Sequence, residues 1–190
     1  MNKHERILAE GKRLFGTYGY LGFTLKKLAV ACDMTAPALY YFYSSKANLF
    51  KDCLLSEMEA RKACTTHCAE SSANLAEFAI LFTVEAIAVC HTHNFIVGRA
   101  MEEVVHLPSD LQDELWRAWD ISMIAPVVIF LDRILPGESP HISRRLMATA
   151  IINMATFVAR KEQQFDTAEL SALFQAFLHG IELSTVAPVA

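Results

Sequence analysis

The chain has 190 residues, of which 53% are hydrophobic, with a mean hydropathy of +0.26 and a formal charge of −4, values that exclude an intrinsically disordered protein. No apolar run reaches the roughly 18 residues that span a bilayer, and no signal-peptide core follows the charged start, so we expect a cytoplasmic protein. The chain has five cysteines, an odd number, and no export signal. We therefore expect reduced thiols and no disulfide framework.

The first predicted element is a helix from about Lys3 to Tyr18. Its apolar residues recur at helical spacing and predict one buried face, made of Ile7, Leu8, Gly11, Leu14, Phe15 and Tyr18. Gly19 is expected to end this helix, because glycine is the residue most often found just past a helix C-terminus.

Residues 24–46, TLKKLAVACDMTAPALYYFYSSK, contain two short predicted helices separated by a tight turn. Thr24 is the expected N-cap of the first helix, and Asp33 suits the turn because its short polar side chain tolerates left-handed dihedrals. Thr35 is the expected N-cap of the second helix, with Pro37 in the first turn, where a missing N–H is harmless. The segment is therefore predicted to be a helix-turn-helix that binds DNA.

The distribution of charge agrees with this prediction. Residues 1–50 hold seven basic and three acidic residues (net +4), whereas residues 51–190 hold ten basic and eighteen acidic residues (net −8). A basic N-terminal segment on an acidic body is typical of a regulator whose N-terminal module alone contacts phosphates. Charge alone favours ordinary solvated helix faces, and it is the helix-turn-helix pattern in the same fifty residues that reverses this preference in favour of DNA.

The rest of the chain is predicted to be helical. The expected helices are about Ser44–Cys68, Asn74–His91, Asn94–His106, Ser109–Leu135 with a kink at Pro126, His141–Arg160 and Thr167–Leu183. The predicted fold is therefore all-α, with a three-helix DNA-binding domain in residues 1–46 joined to a larger helical domain in residues 47–190.

The N-terminal fifty residues resemble the TetR family of bacterial transcriptional repressors. ERILAEGKRLF followed by YGYLGFTLKKLAVACDMTAPALYYFYSSKANLF is similar to the family pattern without gaps, over about a quarter of the chain. The resemblance implies a homodimer through the last two helices, which form a four-helix bundle with their mates. It also implies that the middle helices enclose a ligand whose binding separates the two DNA-binding heads.

Positions shared with the family imply which residues contact DNA. Thr24, Tyr40, Tyr41 and Lys46 match positions that touch the DNA backbone, while Thr35, Ala36 and Pro37 lead the recognition helix; Lys26 adds charge beside them. The family's usual glycine is replaced by Asp33, and Phe42–Tyr43 replace a histidine–phenylalanine pair, which puts a contact at position 42 in doubt. For each tyrosine, core packing is the alternative.

Sequence-specific contacts from the recognition helix are expected to be sparse. The stretch from Thr35 to Tyr43 lacks the Arg, Lys, Asn and Gln side chains that make bidentate contacts with base edges. Specificity is therefore expected to rest on apolar contacts of Ala36 or Pro37 with thymine methyl groups, on tyrosine hydroxyls and on DNA shape.

The effector expected from the sequence is an apolar small molecule. The candidate pocket residues are aromatic or sulfur-containing, with one charged residue inside an apolar stretch: Phe78, Phe82, Glu85, Phe95, Met101, Trp116, Trp119 and Met123. A structural core is the alternative role for each of them. The candidate dimer-interface residues on the last two helices are Ile151, Met154, Phe157, Leu170, Phe174 and Phe177.

A metal- or thiol-responsive repressor is an alternative. Cys64, His67 and Cys68 share one helical face, and Cys90, His91 and His93 follow later, a set of ligands that suits zinc or copper(I). Buried cysteines more often act as small hydrophobes, so neither a metal nor a cofactor is predicted.

An enzyme is not expected, because the sequence has no nucleophile elbow, Gly-rich phosphate loop or HExxH motif. A helical interaction module that does not bind DNA is the remaining alternative.

Overall fold

The computed structural model describes residues 2–93, 95, 97–135 and 143–159, together with residues 168, 169, 172, 173, 175 and 176. These residues contain helices and no strand, so the predicted all-α class is confirmed. The helices are α1 (Lys3–Gly22), α2 (Leu25–Ala31), α3 (Ala36–Phe42), α4 (Lys46–Ser71), α5 (Leu75–His93), α6 (Val97–Glu102), α7 (Ser109–Trp119), α8 (Ala125–Ile134) and α9 (Arg144–Ala159). Within the described ranges, no helix has both the length and the apolar character needed to cross a membrane.

The chain divides into two compact units. The N-terminal unit combines Met1–Ala60 with Val89–Trp119, and the C-terminal unit combines Arg61–Ala88 with Asp120–Ala190. The predicted domain boundary between residues 46 and 47 separates the residues expected to contact DNA from the rest of the chain. The division into compact units does not test this boundary, which stays a prediction.

The core of the N-terminal unit forms around α1. Asn2 caps this helix in a capping box with Glu5, which satisfies N–H groups that have no partner inside the helix. The Phe15 ring stacks on Phe23 with centroids 3.9 Å apart and meets Phe50 at 4.7 Å. Burying these aromatic rings contributes much of the stability of the unit.

The end of α1 differs from the prediction. Gly19 has φ 67° and ψ 175° and does interrupt the helix, but helical residues continue to Gly22 before Phe23 caps the end. Tyr18 was predicted to be buried, and this is wrong: its side chain is 50% exposed. The Lys27 ammonium lies over its ring, 4.0 Å from the centroid, so the tyrosine packs against a surface lysine instead of the core.

The predicted helix-turn-helix is present. The Thr24 hydroxyl accepts a hydrogen bond from the Lys27 N–H (3.2 Å), and the Thr35 hydroxyl accepts one from the Ala38 N–H (3.4 Å). Asp33 has φ 53°, the left-handed conformation expected in the turn. Local residue chemistry therefore determines both helix starts and the turn between them.

Two later helices are shorter than predicted. The segment Asn94–His106 is not one helix, since α6 spans Val97–Glu102 and a separate 3₁₀ turn spans Val104–His106. In the last two predicted helices, α9 begins at Arg144 instead of His141, and Thr167–Leu183 lies outside the described residues except at the few positions given above.

The predicted single helix Ser109–Leu135 has an interruption of a different kind. After α7, residues Asp120–Ile124 form a π-helical turn, and Pro126 stands in the first turn of α8. The wider turn precedes the proline because proline removes an N–H and crowds the carbonyl four residues earlier. The irregularity therefore begins several residues before the predicted kink.

The C-terminal unit contains its own aromatic cluster. The Phe78 ring stacks on Phe82 (centroids 5.6 Å apart) and on Phe130 (4.9 Å). The Arg133 guanidinium donates hydrogen bonds to the carbonyls of Ala69 (2.6 Å) and Ser72 (2.8 Å), and thereby satisfies carbonyl groups at the end of α4.

Candidate nucleic-acid interface

Helix α3 presents one face to the core of the N-terminal unit and another to solvent. Leu39 and Tyr43 are buried, whereas Tyr40 is 55% exposed and Tyr41 is 88% exposed. Core packing is therefore not the role of Tyr40 or Tyr41. The residues that begin the helix, Thr35, Ala36 and Pro37, are exposed as well, so this face carries hydroxyl and small apolar groups.

Tyr43 packs in the core, which is the alternative role that the sequence left open for Tyr40 and Tyr41. Its hydroxyl lies 3.1 Å from His4 Nε2, and the two rings stack with centroids 5.9 Å apart. Burial, followed by the nearby Asp52 carboxylate, raises the pKa of the Tyr43 phenol, so the hydroxyl stays protonated. Its spacing of four residues from Leu39 is the sequence signal for this role.

Two neighbouring lysines on α2 have different surroundings. Lys27 Nζ donates a hydrogen bond to the Gly22 carbonyl (3.1 Å) and lies over the Tyr18 ring, so it is engaged with the end of α1. Lys26 is exposed, as is Thr24 at the start of the same helix. Lys26 is thus the better placed of the two ammonium groups to meet a phosphate.

Lys46 opens α4 and is half-buried against α1. Its Nζ lies 4.2 Å from the centroid of the Tyr20 ring. Burial lowers the pKa of the Lys46 ammonium, and the Glu103 carboxylate opposes this shift. Lys46 therefore interacts with its own unit at the position where a phosphate contact was predicted.

The end of α1 is held by a contact that sequence reasoning missed. Both Glu103 carboxylate oxygens accept from the Tyr20 N–H, each at 3.0 Å. A cleft of about 20 Å³ lies beside this contact, lined in part by Phe15, Phe95 and Arg99, and it has room for about one water molecule. No sequence signal reveals the contact, because 83 residues separate its partners.

The candidate ligand-pocket residues are divided between the two units. In the N-terminal unit, Phe95 and Met101 are buried in the core, Trp119 packs against that core and Trp116 is 51% exposed. In the C-terminal unit, the buried residues are Phe78, Phe82 and Met123, and Glu85 is half-buried.

The candidate metal ligands on α4 do not converge. Cys68 is buried and Cys64 is half-buried, whereas His67 is exposed and its Nδ1 lies 3.4 Å from the Ser71 hydroxyl. In the part of the chain that the structure describes, no group of three His, Cys, Asp or Glu side chains is arranged to hold a metal ion. The side chains of Cys90, His91 and His93 lie outside that part.

The candidate dimer residues have different exposures on α9. Ile151 is buried within its own unit, Met154 is half-buried and Phe157 is 58% exposed. Leu146, near the start of the same helix, is 61% exposed. The other three candidates, Leu170, Phe174 and Phe177, lie outside the described residues.

Comparisons with known proteins agree with this architecture. Residues 7–53 match the family model for bacterial regulatory proteins of the tetR family. A TetR-family transcriptional regulator from Agrobacterium tumefaciens is similar in structure, with a TM-score of 0.72, 16% identity and coverage of 93% of this chain and 96% of that one. A search of the curated proteins found no match.

Two further structures that are similar to this chain contain ligands. AibR in complex with isovaleryl coenzyme A and operator DNA has a TM-score of 0.70 at 15% identity, covering 90% of this chain and 95% of that one. The regulator FadR from Bacillus subtilis in complex with stearoyl-CoA has a TM-score of 0.65 at 14% identity, covering 97% and 100%. At such identities these likenesses establish the fold.

Proposed function

We propose that this chain, whose residues 7–53 match the family model for bacterial regulatory proteins of the tetR family, is a cytoplasmic repressor that binds operator DNA as a homodimer. In this proposal a small apolar molecule binds within residues 47–190 and releases the protein from the operator. The protein thus acts through binding and not as an enzyme.

The observation that carries the DNA-binding proposal is the exposed face of α3. Thr35, Ala36 and Pro37 begin this face, and Tyr40 and Tyr41 continue it, with their rings turned away from the core. Hydroxyl groups suit the sugar–phosphate backbone, while Ala36 and Pro37 offer apolar contacts to thymine methyl groups. Thr24 and Lys26 complete the proposed contacts with phosphates. For Lys46 to join them, its ammonium must leave the Tyr20 ring.

A gel-shift experiment with the promoter region beside the protein's own coding sequence tests this proposal. We expect sequence-selective binding that weakens as salt increases, because the protein displaces counterions from the phosphates. A protein that dimerises but shows no selective binding would instead be a helical interaction module.

Lys26→Ala should weaken binding to all operator sequences by a similar factor. Loss of one phosphate contact is expected to reduce the slope of log affinity against log salt by about 1. The matched control is Lys51→Ala, since the Lys51 ammonium pairs with Glu114 at 3.3 Å. Equal slopes for the two variants would remove Lys26 from the set of phosphate contacts.

The exposed apolar side chains of α9 support the homodimer. Leu146 and Phe157 lie exposed, while the opposite face of this helix packs inside its own unit through residues such as Met147, Ile151 and Ile152. An amphipathic helix with large apolar side chains on its outer face is typical of a surface that a partner covers.

Phe157→Asp is expected to raise the dimer dissociation constant at least about tenfold, because burying an unpaired carboxylate in an apolar interface is unfavourable. Sedimentation velocity over a range of protein concentrations measures this shift. Leu21→Asp makes the same kind of change at an exposed apolar side chain of α1 and should leave dimerisation unchanged. A Phe157→Asp protein with the wild-type dimer constant would exclude this residue from the interface.

The proposed effector class is supported by composition and by two structural neighbours. The candidate pocket residues of the C-terminal unit are Phe78, Phe82 and Met123, with Glu85 as a charged group. AibR and FadR were solved with isovaleryl coenzyme A and stearoyl-CoA, respectively. Titrating acyl thioesters and free apolar acids into the protein–operator complex tests the effector class, and release by neither would argue against it.

A further inference from the structure

Lys46 is held by an aromatic ring inside the N-terminal unit. Its Nζ lies 4.2 Å from the centroid of the Tyr20 ring, a cation–π contact, and the lysine is half-buried. A phosphate contact is expected at the same position, and the ammonium must leave the ring to make it. The Tyr20 ring and an operator phosphate are therefore alternative partners for one ammonium group.

The Tyr20 ring is fixed in place by its neighbours. It meets Phe50 with centroids 5.0 Å apart, and it stacks on Phe15 (6.3 Å) and on His106 (6.2 Å). Phe15 and Phe50 are themselves buried in the core of the unit. Because these contacts do not depend on Lys46, the ring keeps its position when the lysine leaves and can bind the lysine again.

Glu103 acts on both partners of this contact. Its two carboxylate oxygens accept from the Tyr20 N–H, each at 3.0 Å, and so fix the backbone that carries the ring. Gly19 leaves space for the carboxylate, since a β-carbon there would lie 2.7 Å from Oε1. The carboxylate also raises the pKa of the Lys46 ammonium, against the larger effect of burial, and so favours the charged form that binds the ring.

A second lysine–tyrosine contact in the same unit provides a comparison. Lys27 Nζ lies 4.0 Å from the centroid of the Tyr18 ring and donates a hydrogen bond to the Gly22 carbonyl (3.1 Å). No phosphate contact is proposed for Lys27, so nothing competes with Tyr18 for its ammonium. This pair has the same chemistry as Lys46 and Tyr20 without the competition.

We propose that Tyr20 and Glu103 form an autoinhibitory latch on Lys46, which holds its ammonium in the free protein and which an operator phosphate must displace. The proposal rests on the proposed function, since it adds Lys46 to the phosphate contacts and states how that contact is regulated. Opening the latch costs free energy each time a DNA-binding head docks. The latch therefore lowers the affinity of the protein for its operator.

Removing the ring tests the latch. Tyr20→Leu should raise operator affinity about threefold per DNA-binding head, or about tenfold for a dimer on its operator, as expected for the loss of a moderate cation–π contact. The slope of log affinity against log salt should not change, because the number of phosphate contacts is the same. Tyr18→Leu is the matched control and should leave the affinity unchanged. Wild-type affinity in the Tyr20→Leu protein would overturn the proposal.

A double-mutant cycle assigns the effect to the lysine. Lys46→Met removes the ammonium and should reduce the slope of log affinity against log salt by about 1 per head. In this background Tyr20→Leu should no longer raise the affinity, since no ammonium remains to be released. An equal gain with and without Lys46 would mean that Tyr20→Leu acts through the fold, and it would refute the latch.

A second variant keeps the ring and its packing. Glu103→Gln retains an oxygen that accepts from the Tyr20 N–H but removes the negative charge that attracts the lysine. Operator affinity should therefore rise, and it should rise less in the Lys46→Met background. Equal increases in the two backgrounds would remove Glu103 from the latch.

NMR of the Lys46 ε-methylene group observes the latch directly. In the free full-length protein, the ring current of Tyr20 should shift this signal upfield of the signal of the exposed Lys26. Adding operator DNA should move the Lys46 signal back, whereas the Lys27 signal should stay in place. A Lys46 signal that does not move when DNA binds would overturn the competition.

The same measurements distinguish this proposal from the proposed function. Failure of the wild-type protein and of every variant to bind DNA selectively would refute the proposed repressor, and with it the competition for Lys46. Selective binding that does not depend on Lys46 would refute the latch alone and leave the proposed repressor standing.

Discussion

Lys12→Met is expected to lower the free energy of unfolding by about 3 kcal/mol, at the lower end of what breaking a buried ion pair costs. Lys12 Nζ lies 3.0 Å from Glu57 Oε2, and the two side chains are only 14% and 5% exposed. The substitution removes the ammonium that faces a buried carboxylate, while methionine keeps the apolar part of the side chain. Urea denaturation at a fixed protein concentration measures the loss.

An adjacent residue offers a matched control. Arg13 pairs with Glu10 at 2.8 Å, but its side chain is 53% exposed, so Arg13→Met should cost less than about 1 kcal/mol. Adding Glu57→Gln to Lys12→Met should recover part of the stability, because the buried group is then neutral. Equal losses for Lys12→Met and Arg13→Met would show that burial does not strengthen the Lys12–Glu57 pair.

The helix-turn-helix could be predicted because its determinants are local. Thr24 and Thr35 cap helices that start one residue later, and Asp33 adopts its left-handed conformation within a turn of a few residues. Such effects depend on a side chain and its own backbone, so a residue pattern is enough to indicate them. The exposure of Tyr40 and Tyr41 follows from the helical period once Leu39 and Tyr43 are buried.

Features that depend on contacts distant in the sequence could not be predicted in the same way. Tyr18 fits the apolar period of α1, yet it packs against the Lys27 ammonium at the surface. The Glu103 carboxylate accepts a hydrogen bond from the Tyr20 N–H, although 83 residues separate the two in the sequence. The π-helical turn before Pro126 shows that a proline can change the helix on its N-terminal side instead of kinking it at the proline itself. Periodicity indicates which face of a helix is apolar, but it does not indicate which side chains from other parts of the chain pack against that face.

Gly19→Ala is expected to lower the free energy of unfolding by about 3 kcal/mol, for two separate reasons. The backbone at Gly19 has φ 67° and ψ 175°, a conformation that is almost restricted to glycine. A β-carbon at this position would also lie 2.7 Å from Glu103 Oε1, which is held by the Tyr20 N–H. Gly22→Ala is the matched control, since its β-carbon meets only the Tyr18 β-carbon at 3.3 Å; its effect should stay within about 1 kcal/mol.

A double-mutant cycle with Glu103→Ala separates backbone strain from steric overlap. Glu103→Ala alone should cost about 1–2 kcal/mol, because the Tyr20 N–H loses its acceptor. In that background Gly19→Ala should cost about 1 kcal/mol less than in the wild type, since the overlap with the carboxylate is gone while the strain persists. An unchanged cost would assign the whole effect to the backbone. A neutral Gly19→Ala would contradict both causes, because it would mean that the end of α1 can adopt another conformation without loss of stability.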